Sequence, residues 1–252
     1  MQTASKKVVN GWAMYDWANS VYNLVITTTF FPAYYAAVTS TKNFPDGIKF
    51  FGRRFVNTEV KDYVMSFSFL LVVLLIPILS SISDYKGNKK NYMRFFCYVG
   101  ALSCSMMFFF DKDHVWLGLV SLMFAGIGFY GSLVFYNSYL PEIAAEEDMD
   151  RISAKGFAMG YIGSVILQMI GFALVMLMPD NEGLALKITF LMVGLWWIGF
   201  AQIPFNRLPD NAPKAERKQK KHPIVGGFHE LQKVWKQVRQ MPLLRNFLAS
   251  FF

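Results

Sequence analysis

The sequence predicts an all-α membrane protein built around a six-helix transmembrane bundle, and three observations carry that prediction. Of its 252 residues, 54% are hydrophobic and 17% charged, whereas a soluble domain has about 25% charged residues. Six apolar runs have the length of a membrane-spanning helix, which needs about 20 residues. Lys and Arg gather unevenly in the connections between those runs, as they do in multi-pass proteins. The net charge of +8 then reflects topology and not nucleic-acid binding.

Taken in order, the runs cover 12–38, 63–83, 92–110, 114–140, 153–178 and 186–206. With the N-terminus in the cytoplasm, seventeen Lys and Arg fall on the inner side and seven on the outer, which sets the orientation. The outer loop after the first run runs against this trend, with Lys42, Lys49, Arg53, Arg54 and Lys61. The expected location is an inner (plasma) membrane. The N-terminal MQTASKKVVN has no cleavable signal, so the first helix is expected to stay. Residues 1–206 form the bundle, and 207–240 form a basic cytoplasmic linker. Within the linker, Ile224, Phe228, Leu231, Trp235 and Val238 share one face of an amphipathic helix suited to the inner leaflet. Residues 241–252, MPLLRNFLASFF, read as the first turns of a seventh span.

Polar groups are costly inside a bilayer and face a bundle interior or a wet cavity. In the first run Asp16 is the one acidic or basic side chain. At 100° per residue, Asp16, Asn19, Asn23, Thr27 and Tyr34 fall within one narrow arc. That arc reads as the wall of a solute pathway or as hydrogen-bonding glue between helices. Asp16 itself is a boundary carboxylate, one half of an ion pair, or a buried group that exchanges a proton. Tyr130 and Asn137 in the fourth run and Gln168 in the fifth extend the candidate pathway. Gly156, Gly160 and Gly163 lie on one face of the fifth run, where small residues let two helices approach closely. Between the second and third runs, Asp84, Gly87, Lys89 and Lys90 make a tight charged loop. With Arg151 it could latch the cytoplasmic side as a gate.

Enzyme chemistry has little to stand on. His114, His222 and His229 lie in or near loops, HELQK lacks the second His of a zinc-protease helix, and no Cys/His cluster suggests a metal or cofactor. Cys97 and Cys104, seven apart on a helix, are about 10 Å from each other, too far for a disulfide. A six-span scaffold or a dimerising half-transporter remains the rival from another class.

SISDYKGNKK resembles the cytoplasmic loop motif of the major facilitator superfamily, with Ser80, Tyr85 and Asn88 departing from it. GWAMYDWANSVYNLVITTTFFPAYY resembles the opening helix of the vacuolar-effluxer-like family within that superfamily, bacterial branch. FYNSYLPEIAAEEDMDRISAKGFAMGYIGS resembles that family's passage from the fourth span into the fifth. The resemblance implies a twelve-helix major-facilitator fold of which this chain is the N-terminal half. It implies secondary active transport of a small solute by alternating access, amino acids being the substrate attributed to fungal relatives. The lipid bilayer and the missing C-terminal half are the implied partners. The fourth run has no Arg or Lys and the fifth no Pro, so proton coupling by the superfamily's common arrangement is not implied.

Overall fold

The computed structural model describes residues 2–50, 52–86, 88–210 and 241, with the side chains at 50, 77, 78 and 80–86 outside that description. The chain begins with α1 (Lys6–Asn19), a π-helical segment (Tyr22–Phe30) and α2 (Phe31–Val38). A small antiparallel hairpin follows, β1 (Ile48–Phe50) and β2 (Arg53–Phe55), with Lys49 opposite Arg54. Then come α3 (Asn57–Lys86), α4 (Lys89–Met106), α5 (Val115–Ile143), α6 (Met149–Leu177) and α7 (Glu182–Arg207). The hairpin was not expected from the sequence.

Among the described residues, four helical stretches are long and apolar enough to cross a bilayer: Lys89–Phe109, Val115–Ile143, Glu146–Leu177 and Pro179–Arg207. They coincide with the last four expected runs. The first run differs because three elements share it, none of spanning length. The second, α3, passes into side chains outside the description. The expected linker helix and, apart from Met241, the expected seventh-span start also lie outside the described residues.

The π-helical segment has a local cause. Thr27 donates its hydroxyl to the Asn23 carbonyl at 2.6 Å, Thr28 to the same carbonyl at 2.8 Å, and Thr29 to that of Leu24 at 2.7 Å. Hydroxyls that bond back to preceding carbonyls compete with the helix ladder and bend it, here towards i→i+5 spacing.

The first helical stretch is the central rod. α1 packs against α6 and α7 and touches α5, while α4 packs against α5 and α7, and α3 against α5. Where α4 meets α5, Gly128 lies directly on the Gly100 backbone, and a Cβ at Gly128 would overlap it. Aromatic rings fill the interior, with Trp12, Tyr15, Tyr22, Tyr136 and Trp197 all nearly inaccessible. The outer face of α6 is apolar and exposed through Phe157, Tyr161, Val165, Met169 and Met176. That polarity is inverted from a soluble protein and suits a hydrocarbon solvent. Cys97 and Cys104 are both free and buried.

Candidate functional site

The candidate site is built on the seam where α1 meets α5 and α6. Asp16 is 7% exposed. Its Oδ2 accepts a hydrogen bond from the Tyr136 hydroxyl at 2.8 Å. Tyr136 is itself fixed by Trp12, whose ring stacks on it at 4.3 Å with 13° between planes. The Trp12 indole N–H donates to the Tyr136 carbonyl at 3.0 Å. None of the ion pairs among the described residues includes Asp16. A buried charge without a counter-ion is held at considerable cost, so the seam is a place where one proton changes the balance of forces.

Gly156, Gly160 and Gly163 of α6 form the wall facing that carboxylate. A Cβ on Gly156 would lie 2.6 Å from Asp16 Oδ2 and 2.9 Å from the Tyr136 hydroxyl. One on Gly160 would lie 2.5 Å from Ser20 Oγ, and one on Gly163 3.0 Å from the Trp17 carbonyl. The helices touch here because α6 has no side chains in the way.

The polar arc expected along the first run is split. Asn19 is fully buried, takes a 3.4 Å hydrogen bond from Ser20 on its Oδ1, and has no partner for its Nδ2 among the described residues. Asn23 is exposed and Thr27 half-buried. Tyr34 is buried and donates to the Phe110 carbonyl at 2.8 Å. The 100° step fails once the chain enters the π-helical segment, so residues beyond Val21 rotate away from the face that Asp16 and Asn19 occupy. Gln168 is tied into the same region, donating to Thr29 Oγ1 at 3.0 Å. Tyr130 turns towards α3, with its ring 5.2 Å from that of Phe69. Asn137 is exposed.

At the inner end the basic residues meet acids that the sequence reading did not single out. Lys89 is buried and pairs with Glu142 of α5 at 2.7 Å. Lys90 pairs with Asp210 at 2.6 Å. The partner of Arg151 is Asp148, 2.6 Å away, three residues earlier. Asp148 also accepts a 2.6 Å bond from the Thr3 hydroxyl. The Thr3 and Arg151 hydrogen bonds hold the Asp148 carboxyl below its ordinary value. The side chain of Asp84 and all of Gly87 lie outside the described residues. The sequence reading missed Tyr136, Trp12, Glu142, Asp148 and Asp210. The acids had a signal in their sign, since each sits at the basic end of the bundle. Tyr136 had none, because 120 residues separate it from Asp16.

The chain matches the family model described as "Vacuole effluxer Atg22 like" over residues 4–252. Among curated relatives, an uncharacterised MFS-type transporter of Bacillus subtilis, YxiO, is 33% identical over 98% of this chain and 56% of its own length. Autophagy-related protein 22 of Kluyveromyces lactis is 26% identical over 98% of this chain and 58% of its own. That of Pyricularia oryzae is 22% identical over 78% and 40%. The chain thus spans about half the length of the curated relatives it matches. No solved structure matches it. The family description and the Bacillus relative carry transport names, not enzyme names.

Proposed function

The chain belongs to the vacuole effluxer Atg22-like family, and on that premise we propose that it is the N-terminal six-span half of a secondary transporter for a small solute. Amino acids are the leading substrate class, as the resemblance of its opening helix to that family implies. It is a multi-pass integral membrane protein by its apolar helices and its transporter relatives. The inner membrane, with the N-terminus and the 207–240 linker in the cytoplasm, is the location its seventeen-to-seven charge bias favours. A second bundle begins near 241 and packs against this one, a reading supported by coverage of 56% of the Bacillus relative.

Substrate binds near the midplane between the two halves, which rock in alternation. Asn19, Asn23, Thr27, Tyr130, Asn137 and Gln168 supply polar contacts along the route. Asp16 is the switch. Protonated, it fits against Gly156 and takes the Tyr136 hydrogen bond; ionised, it draws water into the seam and loosens α1 from α6. A few kcal/mol between the two states is enough for proton and substrate to shift the balance. At the inner end, Lys89 and Lys90 with Glu142 and Asp210, and Arg151 with Asp148, close the cytoplasmic side in one state. Asp84 and Gly87 belong to the same gate.

The observation that carries this reading is the buried carboxylate without a counter-ion among the described residues, set against a glycine wall. The test is flux of labelled amino acids into liposomes holding the full-length protein, at several pH values. Asp16→Asn is expected to lower flux at least tenfold and flatten its pH dependence while the protein stays folded. Unchanged flux and pH profile would remove Asp16 from the mechanism, and partner binding without flux would replace the transporter with a scaffold.

A further inference from the structure

Tyr15, Asn19 and Tyr22 recur at i, i+4 and i+7 and so share one face of the first helical stretch. That face is not the one Asp16 presents to Gly156. It points into the bundle towards α5 and α7. The Tyr15 ring lies 5.2 Å from that of Tyr136 and 6.2 Å from that of Phe205, and the Tyr22 ring 5.0 Å from that of Phe129 and 6.2 Å from that of Trp197. Tyr15, Asn19, Tyr22 and Trp197 are all 0% exposed. The described helices themselves therefore cover this face, and nothing from outside the bundle is needed to close it.

Its polar groups are unsatisfied. The Tyr15 hydroxyl, the Asn19 amide N–H₂, the Tyr22 hydroxyl and the Trp197 indole N–H have no hydrogen-bond partner among the described residues. A buried polar group left unpaired keeps its full desolvation penalty, and native interiors hold few of them. Two of the four are neighbours: the Tyr15 hydroxyl approaches Trp197, Ser132 and Cys97, but no hydrogen bond closes to any of them. An indole N–H only donates and a phenol oxygen can accept, so Tyr15 and Trp197 are complementary. The helix that carries Tyr15 is clasped between α6 and α7. On the α6 side it rests on the glycine wall. On the α7 side the Trp196 indole N–H donates to the Trp17 carbonyl at 3.0 Å, next to both Tyr15 and Trp197 in sequence, and can serve as a pivot.

We propose that α1 has two seats in the bundle and that this unpaired polar face sets the balance between them. In one seat, that of the structure, α1 lies tight against α6 and all four groups are unpaired. In the other, α1 moves off the glycine wall towards α7, and Trp197 donates its indole N–H to the Tyr15 hydroxyl. Packed interiors are bistable and not continuously deformable, so a small displacement of this kind acts as a switch. The unpaired groups tax the first seat and keep the second within reach. That α1 enters the second seat when the seam at Asp16 loosens rests on the transporter reading; the existence of two seats does not.

The test uses the full-length protein in detergent and reads structure, not flux. Tyr22→Phe removes one unpaired hydroxyl and keeps the ring, so the melting temperature is expected to rise by about 2–4 °C. A fall would show that the hydroxyl has a partner, trapped water included, and would overturn the proposal. Gly160→Ala forces the second seat, because its Cβ would stand 2.5 Å from Ser20 Oγ and 3.3 Å from Asp16 Cβ and push α1 off α6. Ultraviolet resonance Raman spectroscopy reports whether the Trp197 indole N–H is hydrogen-bonded, once the Trp197→Phe spectrum is subtracted. The signal is expected to pass from free to bonded on Gly160→Ala, and to return to free when Tyr15→Phe is added. An N–H that stays free in Gly160→Ala, or is bonded whether or not Tyr15 keeps its hydroxyl, would overturn the two seats. Both expected results from a protein without flux would sustain the two seats and count against the transporter reading alone.

Discussion

Replacing Gly156 by Ala tests whether the α1–α6 seam is as tight as its geometry implies. Two terms oppose each other. In a helix interior Ala is favoured over Gly by about 1 kcal/mol. The new Cβ, however, would sit 2.6 Å from Asp16 Oδ2, 2.9 Å from the Tyr136 hydroxyl and 3.0 Å from Trp12 Cζ3. All three are side-chain atoms, but Trp12 and Tyr136 are locked by stacking and by the Trp12 indole bond, so none can yield without straining the others. Overpacking of this kind costs about 1–3 kcal/mol, and displacing the protonated Asp16 from Tyr136 adds the loss of a neutral hydrogen bond worth about 0.5–1.5 kcal/mol. The net is a destabilisation of about 0.5–3.5 kcal/mol on those principles. Gly199 of α7 is the control, because a Cβ there meets nothing within 4 Å. Gly199→Ala is expected to be neutral or stabilising by up to about 1 kcal/mol. Thermal unfolding of both variants in the same detergent gives the comparison, with about 2–4 °C expected per kcal/mol at this size. If Gly156→Ala melts with Gly199→Ala, the close approach of α6 to Asp16 is wrong.

A double-mutant cycle on Tyr136→Phe and Asp16→Asn should give a coupling energy between about 0.5 and 3 kcal/mol; additive effects would deny the hydrogen bond. Lys89→Met should destabilise by removing the ion pair that ties α4 to Glu142 of α5, by about 3 kcal/mol or somewhat less since Glu142 is 27% exposed. Adding Glu142→Leu should then recover most of the loss, and a double variant as unstable as the single would show that the pair itself stabilises. For Asp148 the folded-state value is lowered, so its stabilisation is complete above the ordinary carboxylate value near 3.9 and is lost as pH falls through the lowered one. Asp148→Asn should flatten the acid limb of a melting-temperature profile, and parallel limbs would refute the contribution of its Thr3 and Arg151 bonds.

The long apolar runs were legible because hydropathy over about 20 residues is a property of the window, insensitive to neighbours. The last four match helices to within a few residues, α5 at Val115–Ile143 against 114–140 for instance. The arc through Asp16, Asn23 and Thr27 was not legible, because it assumed a constant 100° step. Three consecutive threonines at 27–29 were the available warning. Each can offer a hydroxyl to a carbonyl four or five residues back, and each does. The hairpin was missed because its strands have three residues each, too short for a period-2 pattern to register.

The gate residues show a different limit. The sequence placed Lys89, Lys90 and Arg151 at the inner end and gave each of them an acid to find, but several acids were in range. Sign alone cannot choose among Asp84, Glu142, Asp148 and Asp210. The structure chooses by reach: Lys89 projects from the first turn of α4 onto the last turns of α5, where Glu142 and the Ser138 carbonyl both face it. Lys90, one position on, points to the other side and meets Asp210 beyond α7. Two neighbouring lysines therefore tie α4 to α5 and to the segment just beyond α7. Any motion that separates α5 from α7 at this end must break one pair or the other. The glycine wall higher up leaves α1 and α6 in contact with no ionic tie at Asp16, so the same motion meets little electrostatic resistance there.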